Sequence, residues 1–183
     1  QKLVTFSVYS VALSLLTESL YHTDILLLQP LAGSSTTGYY KAALVISEFL
    51  WFAPVSIQTL FLHTTPKMWE EGRTEQISNL ASRTARYTLL LSLLLCIGLA
   101  SLSSEFVTLY YGAEFHPSIL PLLLLLPGTV GFSVARPIFS IGQGKGSLVV
   151  LLLATGSAAL INLVLNLALI PTYGMTGAAI ATS

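Results

Sequence analysis

The residues of this chain that could do chemistry are a few polar side chains set inside long apolar stretches. In chain order they are Glu18, Asp24, Glu48, Arg136, Asn162 and Asn166. A charge at the centre of a bilayer costs about 2.5–3.5 kcal/mol on insertion scales, so it needs water, a counter-charge or a proton there. A carboxylate in such a setting can carry H⁺ or Na⁺, and an arginine can hold a phosphate. We therefore expect these residues to line a cavity that binds a substrate or a coupling ion.

Polar side chains in the first apolar stretch recur at helical spacing. At about 100° per residue, one face carries Ser7, Ser10, Ser14, Thr17, Tyr21 and Asp24, with Glu18 and His22 beside it. This pattern predicts a helix that faces a polar cavity. For the serines alone, hydrogen bonds to a neighbouring helix are the favoured explanation.

The cation and the two amides each allow two interpretations. Arg136 either extends to the inner membrane interface or contacts an anion in the cavity, such as a phosphate, Glu18 or Glu48. Asn162 and Asn166, one helical turn apart, either bond to a neighbouring helix or line the cavity.

Transmembrane helices are the elements that must position these side chains. Apolar residues make up 54% of the chain and charged residues 9%, against about 25% charged in an ordinary soluble domain. A helix crosses a bilayer with about 20 residues, and backbone groups in lipid must bond within their own segment. The expected helices cover residues 3–28, 41–63, 87–104, 117–141, 147–170 and 174–183. The sequence thus predicts an all-α membrane protein, a single lobe of about six transmembrane helices whose last helix is truncated.

The cations predict an orientation for this lobe. If successive helices cross the membrane in alternating directions, six of the eight lysines and arginines fall on one side of it, namely Lys2, Lys67, Arg73, Arg83, Arg86 and Lys145. Lys41 falls on the other side. The positive-inside rule then predicts a multi-pass protein of the cytoplasmic membrane whose N-terminal end is cytoplasmic.

Residues 64–86 are predicted to connect the second and third helices on the cytoplasmic side. Pro66 is expected to end the second helix, and Gly72 with Thr74 offers a break and an N-cap. The rest of the segment is either a short interfacial helix whose cations meet anionic headgroups or a solvated connector.

Two proline sites are hinge candidates. Pro54 lies in the middle of the second helix and removes the hydrogen bond to the Leu50 carbonyl, which predicts a kink. Pro127 and Gly128 fall near the middle of the fourth helix. They indicate either a helix broken at a transport pathway or a kinked packing helix.

Other patterns fail to support an enzyme, a cofactor or a metal. Residues 142–147 (GQGKGS) lack the spacing of a phosphate loop, and the three histidines are too scattered for a metal site. Cys96 is the only cysteine, so no disulfide can form within the chain. The net charge is zero, so the chain lacks the excess of positive charge that nucleic-acid binding requires. We therefore expect no catalytic residue, no metal, no cofactor and no nucleic-acid partner.

Several segments, in order along the chain, resemble one family. Residues 24–28 (DILLL) and 38–43 (GYYKAA) resemble the helix-loop-helix that opens the second half of oligosaccharide flippases. Residues 106–115 (FVTLYYGAEF) resemble the extracytoplasmic loop before a proline-rich helix in the same proteins. Residues 162–182 (NLVLNLALIPTYGMTGAAIAT) resemble the penultimate hairpin of Wzx-type polysaccharide exporters. The chain thus resembles a second-lobe fragment of the multidrug/oligosaccharidyl-lipid/polysaccharide exporter superfamily.

The resemblance implies a transporter of about 12–14 helices in two repeat-related lobes around a central cavity. It implies flipping of a lipid-linked oligosaccharide across the cytoplasmic membrane by alternating access, for polysaccharide export. The expected partners are membrane lipid, that substrate, H⁺ or Na⁺ at the carboxylates, and a missing first lobe of the same protein. An ion-coupled multidrug exporter of the same superfamily and a structural membrane subunit without transport are the alternatives.

Overall fold

The computed structural model describes residues 2–144 and 148–183, and this part of the chain is helical without a strand. Its α-helices are α1 (Lys2–Ala32), α2 (Ser34–Glu48), α3 (Phe52–Glu70), α4 (Thr74–Ser101), α5 (Ser103–Tyr111), α6 (Ile119–Gly144) and α7 (Leu148–Thr182). Two 3₁₀ turns, Phe49–Trp51 and Ala113–Ser118, precede α3 and α6. Lys145, one of the cations used to predict the orientation, lies outside the described residues.

The all-α membrane class predicted from the sequence is confirmed in its coarse form. Four helical runs are long and apolar enough to cross a membrane, namely Ser34–Glu70, Thr74–Ser101, Ala113–Gln143 and Leu148–Thr182. A fifth is added if Ser7–Leu20 and His22–Ala32, which meet at 40°, count as one bent span. Residues 147–170 and 174–183 were expected to form the fifth and sixth helices. Both segments fall within or beside α7, which counts as one membrane span, so a sixth span is not observed among the described residues. The two-lobed arrangement stays a prediction.

A tight hairpin divides α7 into a first arm (148–173) and a second arm (175–182). Gly174 has φ 57° and ψ −131°, a backbone conformation that side chains rarely adopt. A Cβ at Gly177 would lie 2.4 Å from the Leu169 carbonyl oxygen, so the two arms touch there through backbone. Pro171 lies two residues before the end of the first arm.

The segment 64–86, predicted as a connector, is helical on both sides of a short turn at 71–73, and its place on the cytoplasmic side stays a prediction. α3 continues to Glu70 with Pro66 inside it, and α4 begins at Thr74. Packing continues the helix past the proline, because Thr65 is buried and Trp69 Nε1 donates to the Ile141 carbonyl of α6 at 3.2 Å. The break at Gly72 is confirmed, with φ 69°. No side chain caps the start of α4.

The other predicted loops are shorter than expected or helical. α1 reaches Ala32 and α2 starts at Ser34, so Gly33 alone makes a turn where a loop was expected. The predicted loop before α6 contains α5 and the 3₁₀ turn Ala113–Ser118. Short turns of this kind suit a bundle in lipid, because a helix leaves the fewest backbone groups unpaired.

The prolines differ in their local effect. The 3₁₀ turn Phe49–Trp51 ends three residues before Pro54 and contains Leu50, whose carbonyl has no N–H of Pro54 to accept from. The kink itself stays a prediction. α6, by contrast, is continuous across Pro127, so the predicted break is not there. The Gly128 N–H, next to this proline, donates to Ser183 Oγ at 3.1 Å. Ser183 directly follows the second arm of α7, so this end of the chain packs against α6.

α6 lies at the centre of the bundle. It contacts α2, α3, α4, α5 and α7, while α1 packs along α7 more extensively than any other pair of helices. The turns at Gly33, Gly112 and Gly174 lie at one end, which we call the Gly33 end, because the helices alternate in direction. The turn at Gly72 marks the opposite end, which we call the Gly72 end.

The described cations follow this polarity. Lys67 and Arg73 lie at the Gly72 end, and Arg83 and Arg86 lie on the first half of α4, which starts there. Lys41 lies on the first half of α2, which starts at the Gly33 end. The asymmetry on which the predicted orientation depends is therefore present in the fold, and the orientation itself stays a prediction.

Candidate functional site

A buried carboxylate connects three helical segments. Asp24 on α1 is 1% exposed. The Tyr40 hydroxyl of α2 donates to its Oδ2, and the Thr182 hydroxyl of the second arm donates to the same oxygen at 3.2 Å. The Ile25 N–H donates to Oδ1 at 2.7 Å. These bonds compensate part of the cost of burying the carboxylate.

Two amides extend this arrangement along the first arm of α7. Asn162 Nδ2 donates to the Ala181 carbonyl at 3.2 Å and to Thr182 Oγ1 at 3.4 Å. Asn166 Nδ2 donates to the Asn162 side-chain and backbone oxygens, each at 3.0 Å. Among the described residues Asn166 Oδ1 has no hydrogen-bond partner, although it is buried. We call Asp24, Tyr40, Asn162, Asn166 and Thr182 the polar network.

Small residues bring the members of this network together. Ala178 and Ala179 are 0% exposed, and Gly177 touches the backbone of the first arm. The absence of larger side chains lets the second arm lie close to both the first arm and α1. Thr182 therefore reaches Asp24, which is 158 residues earlier in the sequence.

A cavity of about 590 Å³ lies beside the network, between α2, α6 and α7. Asn162 and Thr182 belong to both the network and the cavity wall. Glu48, half-buried, faces the same cavity from α2. Glu48 and Asn162 therefore line one cavity, whereas Asn166 does not. Asn162 fits both of its predicted roles, since it bonds to the second arm and also lines the cavity, whereas Asn166 only bonds.

An aromatic pair forms the wall next to Glu48 and holds the cation of α6. The rings of Trp51 and Phe132, both in the cavity wall, lie 5.1 Å apart. The Arg136 guanidinium carbon is 5.0 Å from the centroid of the Trp51 ring and 4.9 Å from that of Phe132. Cation–π contacts of this geometry favour the charged guanidinium away from bulk water. Arg136 thus contacts two rings of the cavity wall without lining the cavity itself, and both of its predicted roles stay open.

Glu18, expected beside the polar face of α1, neither lines the cavity beside the polar network nor contacts Asp24. Its Oε2 lies 3.3 Å from His22 Nε2, and the two side chains are 68% and 60% exposed. Six residues turn a helix by about 240° beyond a full turn, so Glu18 and Asp24 point in different directions. Glu18 instead lines a separate groove of about 430 Å³ with Ser10, Ser14 and Thr17.

Tyr40, Thr182, Trp51 and Phe132 are the site residues that the sequence analysis missed. Tyr40 and Thr182 carry no local signal, because their partner Asp24 is supplied by a distant segment. Arg136 one helical turn after Phe132 was the available hint of a cation–aromatic contact.

The ligands that the site offers are mainly oxygens. The described residues contain no group of three or more His, Cys, Asp or Glu side chains that could hold a metal ion. A cation bound here would have Asp24 as its charge, together with neutral hydroxyl, amide and carbonyl oxygens. Such a set suits a hard cation of low charge better than a transition metal.

The chain matches no protein-family model, no curated protein and no solved structure. What the chain does is therefore inferred from the geometry of the polar network and its cavity.

Proposed function

We propose that this chain is part of a transporter that flips lipid-linked oligosaccharide across the cytoplasmic membrane by alternating access, for polysaccharide export. The observation that carries the proposal is the buried polar network, two of whose members, Asn162 and Thr182, line a cavity between apolar helices. Replacing a buried charge by apolar packing is often neutral or stabilising, so fold stability alone does not account for the buried Asp24 carboxylate. Intramembrane ionisable groups instead mark ion and substrate pathways.

The network suits a coupling ion. H⁺ neutralises the Asp24 carboxylate directly, and Na⁺ neutralises it while binding neighbouring oxygens such as Thr182 Oγ1 and the Ala181 carbonyl. Either ion competes with the hydrogen bonds that Tyr40 and Thr182 donate to Asp24. Because these bonds join α1, α2 and the second arm of α7, ion binding changes the relative stability of two helix arrangements. This is the property that alternating access requires.

The cavity suits an anionic, hydroxyl-rich head group. A phosphate on the substrate is attracted to Arg136, whose guanidinium is held at the wall by Trp51 and Phe132. Sugar hydroxyls without partners in hydrocarbon cost several kcal/mol each, of order 4 or more, so a polar passage lowers the barrier to flipping. Asn162, Thr182 and Glu48 supply polar groups along that passage.

The exposed pair Glu18–His22 supports a second lobe in the same transporter. Both side chains lie on a candidate bent span, yet neither is covered by the described bundle. Contact with acyl chains would be costly for a carboxylate. A first lobe of the same protein, enclosing a wet passage against this face of α1, removes that cost.

An ion-coupled multidrug exporter is the second candidate. The combination of Glu48 with the aromatic rings of Trp51 and Phe132 in one wall is the observation that favours it, because organic cations bind acidic, aromatic sites. Arg136 argues against it, since this cation already contacts both rings.

The test is reconstitution of the full-length protein in vesicles that contain a fluorescent lipid-linked oligosaccharide. The flipping rate is measured with and without H⁺ and Na⁺ gradients. Asp24→Asn is expected to flip at a rate that no longer responds to the gradient. Arg136→Gln is expected to lower the rate by about tenfold or more, the effect of losing one charge-assisted hydrogen bond.

Arg83→Gln is the matched control, because Arg83 is an exposed cation on α4 that lies outside the cavity wall. It should flip at the parent rate. A full gradient response in Asp24→Asn rejects the coupling role, and a parent rate in Arg136→Gln rejects the phosphate contact. Efflux of organic cations by a protein that flips no oligosaccharide selects the multidrug exporter instead.

A further inference from the structure

A second cavity, about 610 Å³ in volume, lies on another side of the bundle and is apolar. It is a groove between α2 with its 3₁₀ turn on one side and α4 with α5 on the other. Its walls include Val45, Phe49, Leu94, Leu99, Leu102 and Phe106. It shares no residue with the cavity beside the polar network.

The floor of the groove is open because of one glycine. Gly98 on α4 lies in the groove wall, and a Cβ built there would meet nothing within 4 Å. Neighbouring side chains along α4, such as Leu94 (68% exposed) and Leu102 (50% exposed), remain uncovered by the protein. The groove therefore has room for an apolar chain that the described bundle does not supply.

The end of the groove nearest the Gly33 end is polar. Lys41 precedes Val45 by one helical turn and Phe49 by two, so these three residues share a face of α2. Lys41 is exposed, and the described ion pairs, Glu18–His22 and Arg73–Glu71, do not involve it. Tyr110 and Tyr111 line the groove from α5, the helix that lies at the same end. Tyrosine and lysine at the end of an apolar surface are typical of the headgroup level of a bilayer.

We propose that this groove binds an anionic membrane lipid, with one acyl chain against Val45, Phe49 and Gly98 and its phosphate against Lys41. The charge of Lys41 selects the occupant, because a cation near a lipid surface attracts an anionic headgroup by about 1 kcal/mol and an uncharged one by less. Lys41, like Glu105 and Glu114, lies outside the groove walls, but it continues the face of α2 that carries Val45 and Phe49. This inference does not depend on the proposed transport activity.

The experiment uses the purified full-length protein in detergent with two photoactivatable lipids. One is a phosphatidylglycerol and the other a phosphatidylcholine, each with a diazirine on an acyl chain. After illumination, mass spectrometry of peptides locates the label. We expect labelling of the α4 segment around Gly98, and more of it from phosphatidylglycerol than from phosphatidylcholine.

Two variants and two controls test the groove and the cation separately. Gly98→Leu fills the floor and should abolish labelling of this segment, whereas Ala154→Leu, at an exposed position of α7 outside both cavities, should leave it unchanged. Lys41→Gln should lower the ratio of phosphatidylglycerol to phosphatidylcholine labelling about fivefold, the effect expected of one cation near a lipid surface. Arg83→Gln should not change this ratio.

Three outcomes overturn the proposal. Labelling that persists in Gly98→Leu shows that the acyl chain lies elsewhere. A ratio that Lys41→Gln leaves unchanged shows that the phosphate does not contact this residue, and this variant remains informative if Gly98→Leu fails to fold. A doubled mass by native mass spectrometry, with no labelling of the groove, shows that a second copy of the chain covers it.

Discussion

Two adjacent tyrosines on α2 differ in what their hydroxyls do, and this allows a sharp test of the polar network. Tyr40 donates to the buried Asp24 carboxylate, whereas the Tyr39 ring contacts Phe115 edge-on at 5.3 Å. Tyr40→Phe leaves the carboxylate with one donor fewer and should destabilise the protein by about 1–3 kcal/mol. Tyr39→Phe should change stability little. Denaturant unfolding in detergent measures both, and equal midpoints for the two variants would contradict the network.

At this residue scale the sequence revealed only part of the site. Asp24, Asn162 and Asn166 were identified because polar groups in an apolar stretch need a reason. Their partners Tyr40 and Thr182 were not, since tyrosine and threonine are ordinary residues in such segments. Glu18 and Asp24 were expected to line one cavity, but they lie six positions apart on α1 and face different neighbours.

At the element scale, the hairpin of α7 depends on Gly177, because any side chain at this position would overlap the backbone of the first arm. Gly177→Ala places a Cβ 2.4 Å from the Leu169 carbonyl oxygen, so one arm must shift. Such overpacking typically costs about 1–3 kcal/mol, and the same shift moves Thr182 relative to Asp24. Gly38→Ala on α2 is the matched control, because a Cβ there meets nothing within 4 Å. It should be neutral or stabilise by about 0.4–1 kcal/mol. Unfolding midpoints that are the same for both variants would show that the arms are not in contact.

The boundaries of the elements were less predictable than their existence. Apolar length identified the helices, but turns of one to three residues were expected to be loops of a dozen or more. Pro66 was expected to end a helix, yet α3 continues four residues beyond it, with Thr65 buried and Trp69 bonded to α6. At Pro54 the helix is interrupted nearby by a 3₁₀ turn that ends at Trp51, and the predicted kink stays a prediction.

For the whole molecule, the class of fold follows from composition, because helices are among the few structures that satisfy backbone groups in lipid. The packing of α1 along α7 does not follow from it, since both helices are apolar on most faces. The position of the polar network therefore became visible only in three dimensions. The direction of the bundle in the membrane, in contrast, is predicted by charge alone.

That direction gives a test on the scale of the molecule. Cys96 is the only cysteine, so Cys96→Ser provides a background without thiols. Into it we introduce Ser35→Cys at the Gly33 end and Ser78→Cys on the second turn of α4, near the Gly72 end; both serines are exposed. If the cation-rich end is cytoplasmic, a membrane-impermeant maleimide should label Ser35→Cys in intact cells and Ser78→Cys only after permeabilisation.

The reversed labelling pattern would show that the bundle has the opposite orientation in the membrane. Labelling of both from one side would contradict the alternating directions of α2, α3 and α4, because a continuous span from Ser34 to Glu70 must place its two ends on opposite sides of the membrane.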